Sequence, residues 1–574
     1  MTDDLYARAE AWLREDPDPE TAREVAALLE AKDETALLDR FGARLEFGTA
    51  GLRGVLGAGP NRMNRAMVRK ATAGLARYLL AVHPRAREEG VVVARDGRRG
   101  SAIFAKDAAS VLAGHGIPAH VFEDLAPTPL GAFAVRELHA AAGVVVTASH
   151  NPPEYNGYKV YWTNGAQIVP PVDAGISREI DAAGPANEIP FLEEAAARER
   201  GLWLDVVPGV AERYLERVTG LQLHAGQGRD LTIVTTALHG VGGVWLLELL
   251  SRAGFSNVHP VAAQQQPDGA FPTVRFPNPE EPGALDLALA LAEETKADLI
   301  LANDPDADRL AVVARDAKGR MKAFTGNEIG VLLGHYRLTE VVPRPRNPLL
   351  LATIVSSAQL GVIARDLGAR FEETLTGFKW IMNRAVALEE TEDATFVFGY
   401  EEALGYCPGD VVRDKDGLSS ALVFADLAGW CRSHGLTVWD RLEEIQRAHG
   451  LFLSAQKSVT FTGRSGPARM AGILEAFRAA PPTEIGGLSV VSARDYARAE
   501  PATNAIAYEL EGGSRVTLRP SGTEPKIKYY FELRVSLPEG EDLGTARARG
   551  EERLASLVDA FAALAEANTP REDA

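Results

Sequence analysis

A multidomain α/β protein is what this sequence predicts, on three observations. The chain has 574 residues, too many for one core and enough for about three to five domains. Apolar residues make up 46% and charged residues 24%, which supplies both large cores and a solvated surface. Short β-branched runs alternate with helical stretches along most of the length, the pattern of α/β units with parallel or mixed sheets.

In chain order, residues 3–40 read as amphipathic helices, broken at Asp16-Pro-Asp-Pro19 because proline stops a helix. Phe47-Gly-Thr-Ala-Gly-Leu-Arg53-Gly54 follows, its glycines permitting tight turns beside a cation. Strands are predicted at Val91–Asp96, Val144–Thr147, Leu231–Thr236, Leu299–Asn303, Leu349–Ile354 and Phe396–Gly399. Boundaries divide the chain into residues 1–210, 211–320, 321–450 and 451–574. The first lies where Val206-Val-Pro-Gly-Val precedes a new helix. The last separates a helix around Trp439–His449 from a strand around Val459–Phe461. The final segment is α+β, with strands at Ile506–Leu510, Val516–Arg519 and Lys526–Arg534, then an amphipathic helix from about Thr545 to Ala567. No short-period repeat is visible.

The formal charge of −18 argues against a nucleic-acid partner, which calls for a basic footprint. It leaves room for an anionic small substrate, since a pocket's field is set by its own Arg and Lys. Only Cys407 and Cys431 occur, so no disulfide framework is expected and a reducing cytoplasm fits. The N-terminus lacks a basic start and an apolar run, so no signal peptide is expected. No stretch approaches the ~18 apolar residues of a membrane span. A cytoplasmic monomer or small homo-oligomer, with no membrane or nucleic-acid partner, is therefore expected.

Two motifs carry chemistry on their own residues. The buried run Val144–Thr147 ends in Ala148-Ser149-His150-Asn151-Pro152-Pro153, with Asn156-Gly157 and Lys159 beyond. Ser149 and His150 thus sit on a rigid loop at a strand's C-terminal end, where α/β sheets bind ligands. The second motif, Asn303-Asp304-Pro-Asp306-Ala-Asp308-Arg309, follows another strand. Alternate carboxylates in an extended loop point to one side and offer three hard oxygen ligands. A calcium EF-hand fails, because Arg309 and Arg315 stand where Gly and Glu are required. Carboxylates without His or Cys suit Mg2+ better than zinc. Glycine runs carry less. Gly57-Ala-Gly59 is no dinucleotide fingerprint, lacking the third glycine and a preceding strand, and His239-Gly-Val-Gly-Gly243 reads as a strand-to-helix turn.

Thr147 to Lys159 resembles the phosphoserine loop of the α-D-phosphohexomutases, the family of phosphoglucomutase and phosphomannomutase, and Asn303–Arg309 resembles its metal loop. Four further segments are similar in the same order: Thr376-Gly377-Phe-Lys379-Trp380, Gly399-Tyr-Glu401-Glu402-Ala403-Leu-Gly405, Arg413-Asp-Lys415-Asp-Gly417 and Arg519-Pro-Ser521-Gly522-Thr523-Glu-Pro-Lys526. The resemblance runs from Phe47 to about Arg534, and residues 1–46 together with the Glu401–Ala403 loop are similar to the branch of longer phosphosugar mutases that includes phosphoglucomutases and phosphopentomutases.

It implies three related α/β mixed-sheet domains and a C-terminal α+β domain around a central active-site cleft. It further implies that Ser149 carries the transferred phosphoryl group, that His150 organises the serine loop, and that Ser149, Asp304, Asp306 and Asp308 hold Mg2+. Lys159, then Lys415, are the expected acid/base residues. Glu401 would orient ring hydroxyls, with Ala403 where many relatives have serine. Arg53, Arg309, Thr376, Gly377 and Lys379 would also contact the phosphorylated sugar substrate. Arg519, Ser521, Gly522, Thr523 and Lys526 would cradle its phosphate, combining a guanidinium fork with hydroxyls and backbone N–H groups. The implied activity interconverts glucose 1-phosphate and glucose 6-phosphate, with glucose 1,6-bisphosphate as intermediate and activator. Mannose or pentose phosphates as substrates, glucose 1,6-bisphosphate synthesis, loss of the phosphoryl group to water, and binding by an inactive scaffold are the alternatives. Intact serine, acidic and phosphate motifs argue against the last.

Overall fold

Among the described residues, three of the four sheets repeat one topology. The structure is a computed structural model that describes residues 2–49, 51–461, 466–520 and 526–569. In the first sheet the parallel strands Val91–Arg95, Ala119–Val121 and Ala142–Val146 precede an antiparallel return strand, Tyr155–Trp162. The order across the sheet is fourth, third, first, second. The second sheet repeats this with Ile233–Thr236, Val258–Pro260, Leu299–Asn303 and Leu310–Arg315. The third repeats it with Pro348–Thr353, Arg370–Thr374, Thr395–Glu401 and Gly405–Cys407. Edge strands Leu52–Val55 and Trp203–Asp205 extend the first sheet, and Met321–Ala323 extends the second. The three α/β units are therefore related by topology, although no sequence period betrays it.

Helices on both faces explain the composition of the central strands. Ala142–Val146, Leu299–Asn303 and Pro348–Thr353 are buried along their whole lengths, as strands covered on two sides must be. Each unit's third strand ends in a loop that turns back into the return strand. Those three loops are the serine loop, the acidic loop and the Glu402–Leu404 turn.

The fourth sheet is antiparallel throughout, in the order Leu451–Thr460, Lys526–Val535, Ser514–Pro520, Ile506–Leu510, Leu488–Asp495, Glu484–Ile485. Helices Gly466–Ala479 and Leu543–Ala567 pack on it through Phe477 and Phe561, whose rings stack at 5.3 Å. At the other end of the chain, helices Thr2–Glu15, Pro19–Ala31 and Glu34–Phe41 lie against the first unit. Trp12 and Phe41 meet Ala66 and Met67, and Asp18 and Asp33 cap the second and third helices.

Several expectations shift. The strand placed around Val459–Phe461 instead spans Leu451–Thr460. It is an edge strand whose exposed, polar outer positions hide it from a hydrophobicity reading. Thr147 lies beyond its strand, because its hydroxyl accepts the Ser149 N–H at 2.9 Å. A strand, Leu52–Val55, does precede Gly57-Ala-Gly59, so only the missing third glycine excludes a dinucleotide fingerprint there. The His239–Gly243 segment is a strand-to-helix turn between Thr236 and the helix Gly243–Arg252. A Cβ on Gly240 would sit 2.3 Å from Pro305 Cα, so this turn backs the acidic loop.

Candidate active site

Ser149 is buried in a conformation that few non-glycine residues adopt, with φ of 52°. Its hydroxyl donates to Asp304 Oδ2 at 2.8 Å, and Oγ lies 3.2 Å from His150 Nδ1. Burial, together with Arg309 and Arg53, pushes the His150 ring well below its ordinary pKa, so it stands neutral beside the serine. Arg53 donates to the Asn151 side chain at 3.2 Å.

The acidic loop is not extended. Ala307 adopts φ of 59° and its N–H bonds the Asp304 carbonyl at 2.9 Å, so a turn rather than strand alternation gathers the carboxylates. Asp304, Asp306 and Asp308 are all fully buried. One carboxylate oxygen from each lies within 4.8 Å of the others. Asp306 Oδ1 and Asp308 Oδ1 are buried without a hydrogen-bond partner. Unpaired buried oxygens this close together are costly unless a cation satisfies them, and the donor set fits a hard divalent ion.

Two lysines partly neutralise the cluster. Lys159 Nζ donates to Asp306 at 2.7 Å and Asp308 at 2.8 Å, and Lys415 Nζ lies 2.7 Å from Asp308. Burial opposes these ammonium charges, but the aspartates outweigh it and hold both lysines above the ordinary lysine range. Burial likewise opposes ionisation of Asp306 and Asp308, yet the lysines hold both below the usual carboxylate range. Asp304 lacks such a partner. Burial, then Asp306 and Asp308, push it well above that range.

The third unit brings the remaining loops to the same place. Glu401 ends its strand and accepts the Gly377 N–H at 2.8 Å, while burial pushes its carboxyl up. The Thr376 hydroxyl is buried without a partner. Arg309 donates to the Ala403 carbonyl at 3.0 Å, tying the acidic loop to the Glu402–Leu404 turn. Lys379 bonds the Thr49 hydroxyl of the first unit, and burial lowers its pKa to about 8 despite Glu401. Arg519, from the fourth domain, lies within electrostatic reach of Lys379 and bonds the Tyr530 hydroxyl. Lys526 begins the strand Lys526–Val535. Ser521, Gly522 and Thr523 lie outside the described residues.

Sequence reasoning missed several contacts. Arg98 is 4% exposed and donates to four carbonyls of the serine loop: Ser149, Asn151, Pro152 at 2.9 Å and Tyr155 at 3.3 Å. The Phe271 ring, from the second unit, lies 4.8 Å from its guanidinium carbon. Thr128 donates its hydroxyl to Asp306 at 2.7 Å and its N–H to the Asp306 carbonyl at 3.0 Å. Asp416 caps the helix Gly417–Ser433 and thereby fixes the backbone beside Lys415. Lys528 and Glu280 approach each other near Glu402. The only sequence signal for Arg98 is its place in Asp96-Gly-Arg-Arg-Gly, directly after a parallel strand.

A buried serine thus stands beside three clustered carboxylates, with cations from the surrounding loops about them. The chain matches, in order, "Phosphoglucomutase/phosphomannomutase, alpha/beta/alpha domain I" over residues 44–186, domain II over 212–319, domain III over 325–447 and the C-terminal domain over 464–550. It is 40% identical over 486 residues to a Haemophilus influenzae protein named "Probable phosphomannomutase", covering 84% of this chain and 95% of that one. It is 36% identical over 556 residues to a phosphopentomutase of Mus musculus, covering 91% and 89%. With a phosphoglucomutase of Staphylococcus epidermidis it shares 37% identity over 505 residues, covering 85% and 90%. The chain belongs to the phosphoglucomutase/phosphomannomutase family. It is accordingly an enzyme of the phosphosugar mutase class.

Proposed function

We propose that this mutase interconverts α-D-glucose 1-phosphate and glucose 6-phosphate, with the phosphoryl group carried on Ser149. The observation that supports it most directly is the Ser149 hydroxyl, 2.8 Å from Asp304 at the edge of three clustered carboxylates. Asp304, Asp306 and Asp308 would hold Mg2+ together with a phosphoserine oxygen. Bound there, the ion supplies charge neutralisation for a phosphoryl group among aspartates.

In the first half-reaction the bond from phosphorus to Ser149 Oγ breaks and one forms to the sugar's free hydroxyl. The proton of that hydroxyl ends on Ser149 Oγ. Lys159 is the first choice for the acid/base role and Lys415 the weaker one; held as an ammonium group, the lysine gives its proton to Ser149 Oγ as the phosphorus bond breaks and takes the sugar hydroxyl's proton in return. Neutral His150 keeps the serine hydroxyl oriented. The resulting glucose 1,6-bisphosphate turns over in the cleft, and the second half-reaction returns its other phosphoryl group to Ser149. Phosphoryl transfer depends mainly on positioning and charge neutralisation, which the surrounding cations provide in a chain of net charge −18.

Glu401 would accept from adjacent ring hydroxyls, and the unpartnered Thr376 hydroxyl is free to bond the substrate. Arg53, Arg309, Lys379 and the loop from Arg519 to Lys526 would hold the phosphate that is not reacting. A pentose phosphate substrate is the second reading, favoured by the 556-residue alignment with the mouse phosphopentomutase and by the absent hydroxyl at Ala403. Comparing kcat/KM for glucose 1-phosphate, mannose 1-phosphate and ribose 1-phosphate decides between them. The highest value is expected for glucose 1-phosphate; a preference for ribose 1-phosphate replaces the first reading with the second.

A further inference from the structure

Away from the serine and the acidic loop lies a second cavity of about 420 Å3 that the proposed reaction leaves unused. It forms where the end of helix Thr128–Glu137, the turn after strand Tyr155–Trp162 and the loop after strand Gly405–Cys407 meet helix Pro208–Thr219. Phe133 and Val411 give it an apolar surface, and Arg136, Arg217 and Arg413 line it with charge.

The charges there do not balance. Arg136 and Arg413 both bond Asp410, at 2.8 and 3.2 Å. Arg213 and Arg217 both bond Glu137, the latter at 3.3 Å. Four guanidiniums thus share two carboxylates, in a chain whose formal charge is −18. Such an excess outweighs the partial negative charge at the end of helix Thr128–Glu137 and attracts anions. Arg217 is 55% exposed and meets Glu137 through one terminal nitrogen, which leaves its other donors to a ligand.

Three of the lining segments also grip the acidic loop. At the opposite end of its helix, about 12 Å along the axis from Arg136, Thr128 bonds Asp306 at 2.7 Å. Strand Tyr155–Trp162 carries Lys159, bonded to Asp306 and Asp308. Two residues after Arg413, Lys415 lies 2.7 Å from Asp308.

We propose that this cavity is an effector site for a small polyanion, a metabolite bearing phosphate or carboxylate groups, whose binding loosens the grip of these segments on the acidic loop and lowers turnover. An anion that takes Arg136 and Arg413 competes with Asp410. The backbone carbonyl of Asp410 also accepts from Arg136, at 2.7 Å, and the chain runs directly from there to Lys415. Displacing Asp410 therefore moves the support of Lys415.

The test is hydrogen exchange and steady-state kinetics on the full-length protein, with inorganic phosphate or tricarballylate added at matched ionic strength. The wild type is compared with Arg217→Glu, which reverses a partly exposed charge and leaves the acidic loop untouched. Exchange should slow in residues 133–139, where the anion is held, and quicken in 410–415, where Asp410 is released, and kcat at saturating substrate should fall about fivefold. Both effects should vanish in Arg217→Glu, whose own turnover stays near wild type. A response to phosphate alone identifies a phosphate ester as the ligand class, and a response to tricarballylate alone a polycarboxylate. Slowing confined to the serine and phosphate loops, a rise in KM alone, or equal responses in both proteins overturns the proposal.

Discussion

Replacing Arg98 by lysine should slow phosphoryl transfer while leaving substrate binding nearly intact. Its guanidinium donates to four main-chain carbonyls across the serine loop, at Ser149, Asn151, Pro152 and Tyr155. Those bonds hold Ser149 at φ of 52°, a conformation that costs roughly 1–3 kcal/mol. A hydrogen bond to a charged group contributes about 1.5–3 kcal/mol. A lysine reproduces one or two of the four, so the loop loses on the order of 3 kcal/mol of restraint and regains part of it by relaxing. If about 1.4–2.8 kcal/mol of that loss appears in the barrier, kcat falls roughly 10- to 100-fold. Lysine keeps a cation near Asp96, whose carboxylate lies 3.4 Å from Arg98 Nε. Arg98→Ala would instead strand a buried charge at a cost of about 3–5 kcal/mol and confuse misfolding with misplacement. Single-turnover transfer from the phosphorylated protein, with KM and thermal unfolding measured alongside, reads the effect. A folded Arg98→Lys variant with wild-type kcat would refute the reasoning.

Asp306→Asn keeps the side-chain volume but removes a ligand charge, so Mg2+ affinity by calorimetry and activity should fall by about 100-fold or more while the protein still folds. Unchanged magnesium dependence would move the metal elsewhere. Lys379 has a pKa of about 8 because it is buried, so its cation is lost as pH rises through that value and kcat/KM for an anionic substrate should decline above it. Lys379→Arg, charged throughout, should lift that limb, and a wild-type profile flat well above pH 8 argues against the assignment. If position 403 faces the sugar as proposed, Ala403→Ser adds a hydroxyl there and should raise the ratio of kcat/KM for glucose 1-phosphate over ribose 1-phosphate. A ratio that does not move places position 403 away from the ring.

The serine and acidic motifs were legible because their chemistry is contiguous in the chain and follows directly on a buried apolar strand. The equivalence of the three α/β units was not written as a sequence period. It emerges from strand order, since topology constrains which positions are apolar and not which residues fill them. Arg98 and Thr128 escaped notice for another reason. They act on main-chain carbonyls or on a carboxylate of a distant segment, contacts that exist only once the first unit has folded, for Arg98, or once two units meet, for Thr128. The acidic loop illustrates a right grouping reached by a wrong geometry. Alternation would have aligned the carboxylates only in extended chain, whereas a turn at Ala307 does so. Strand Leu451–Thr460 was misplaced because one face of its second half meets solvent and carries Ser454, Gln456 and Ser458.

The central claim is that Ser149 itself carries the group that is transferred. Peptide mapping of protein purified without phosphatase treatment should find phosphate on Ser149. Isotopically labelled phosphate at that position should pass to glucose 1-phosphate or glucose 6-phosphate within a single turnover, and Ser149→Ala should neither accept the label nor turn over. Label that stays on Ser149 while sugar phosphates interconvert, or full turnover in Ser149→Ala, would contradict the account.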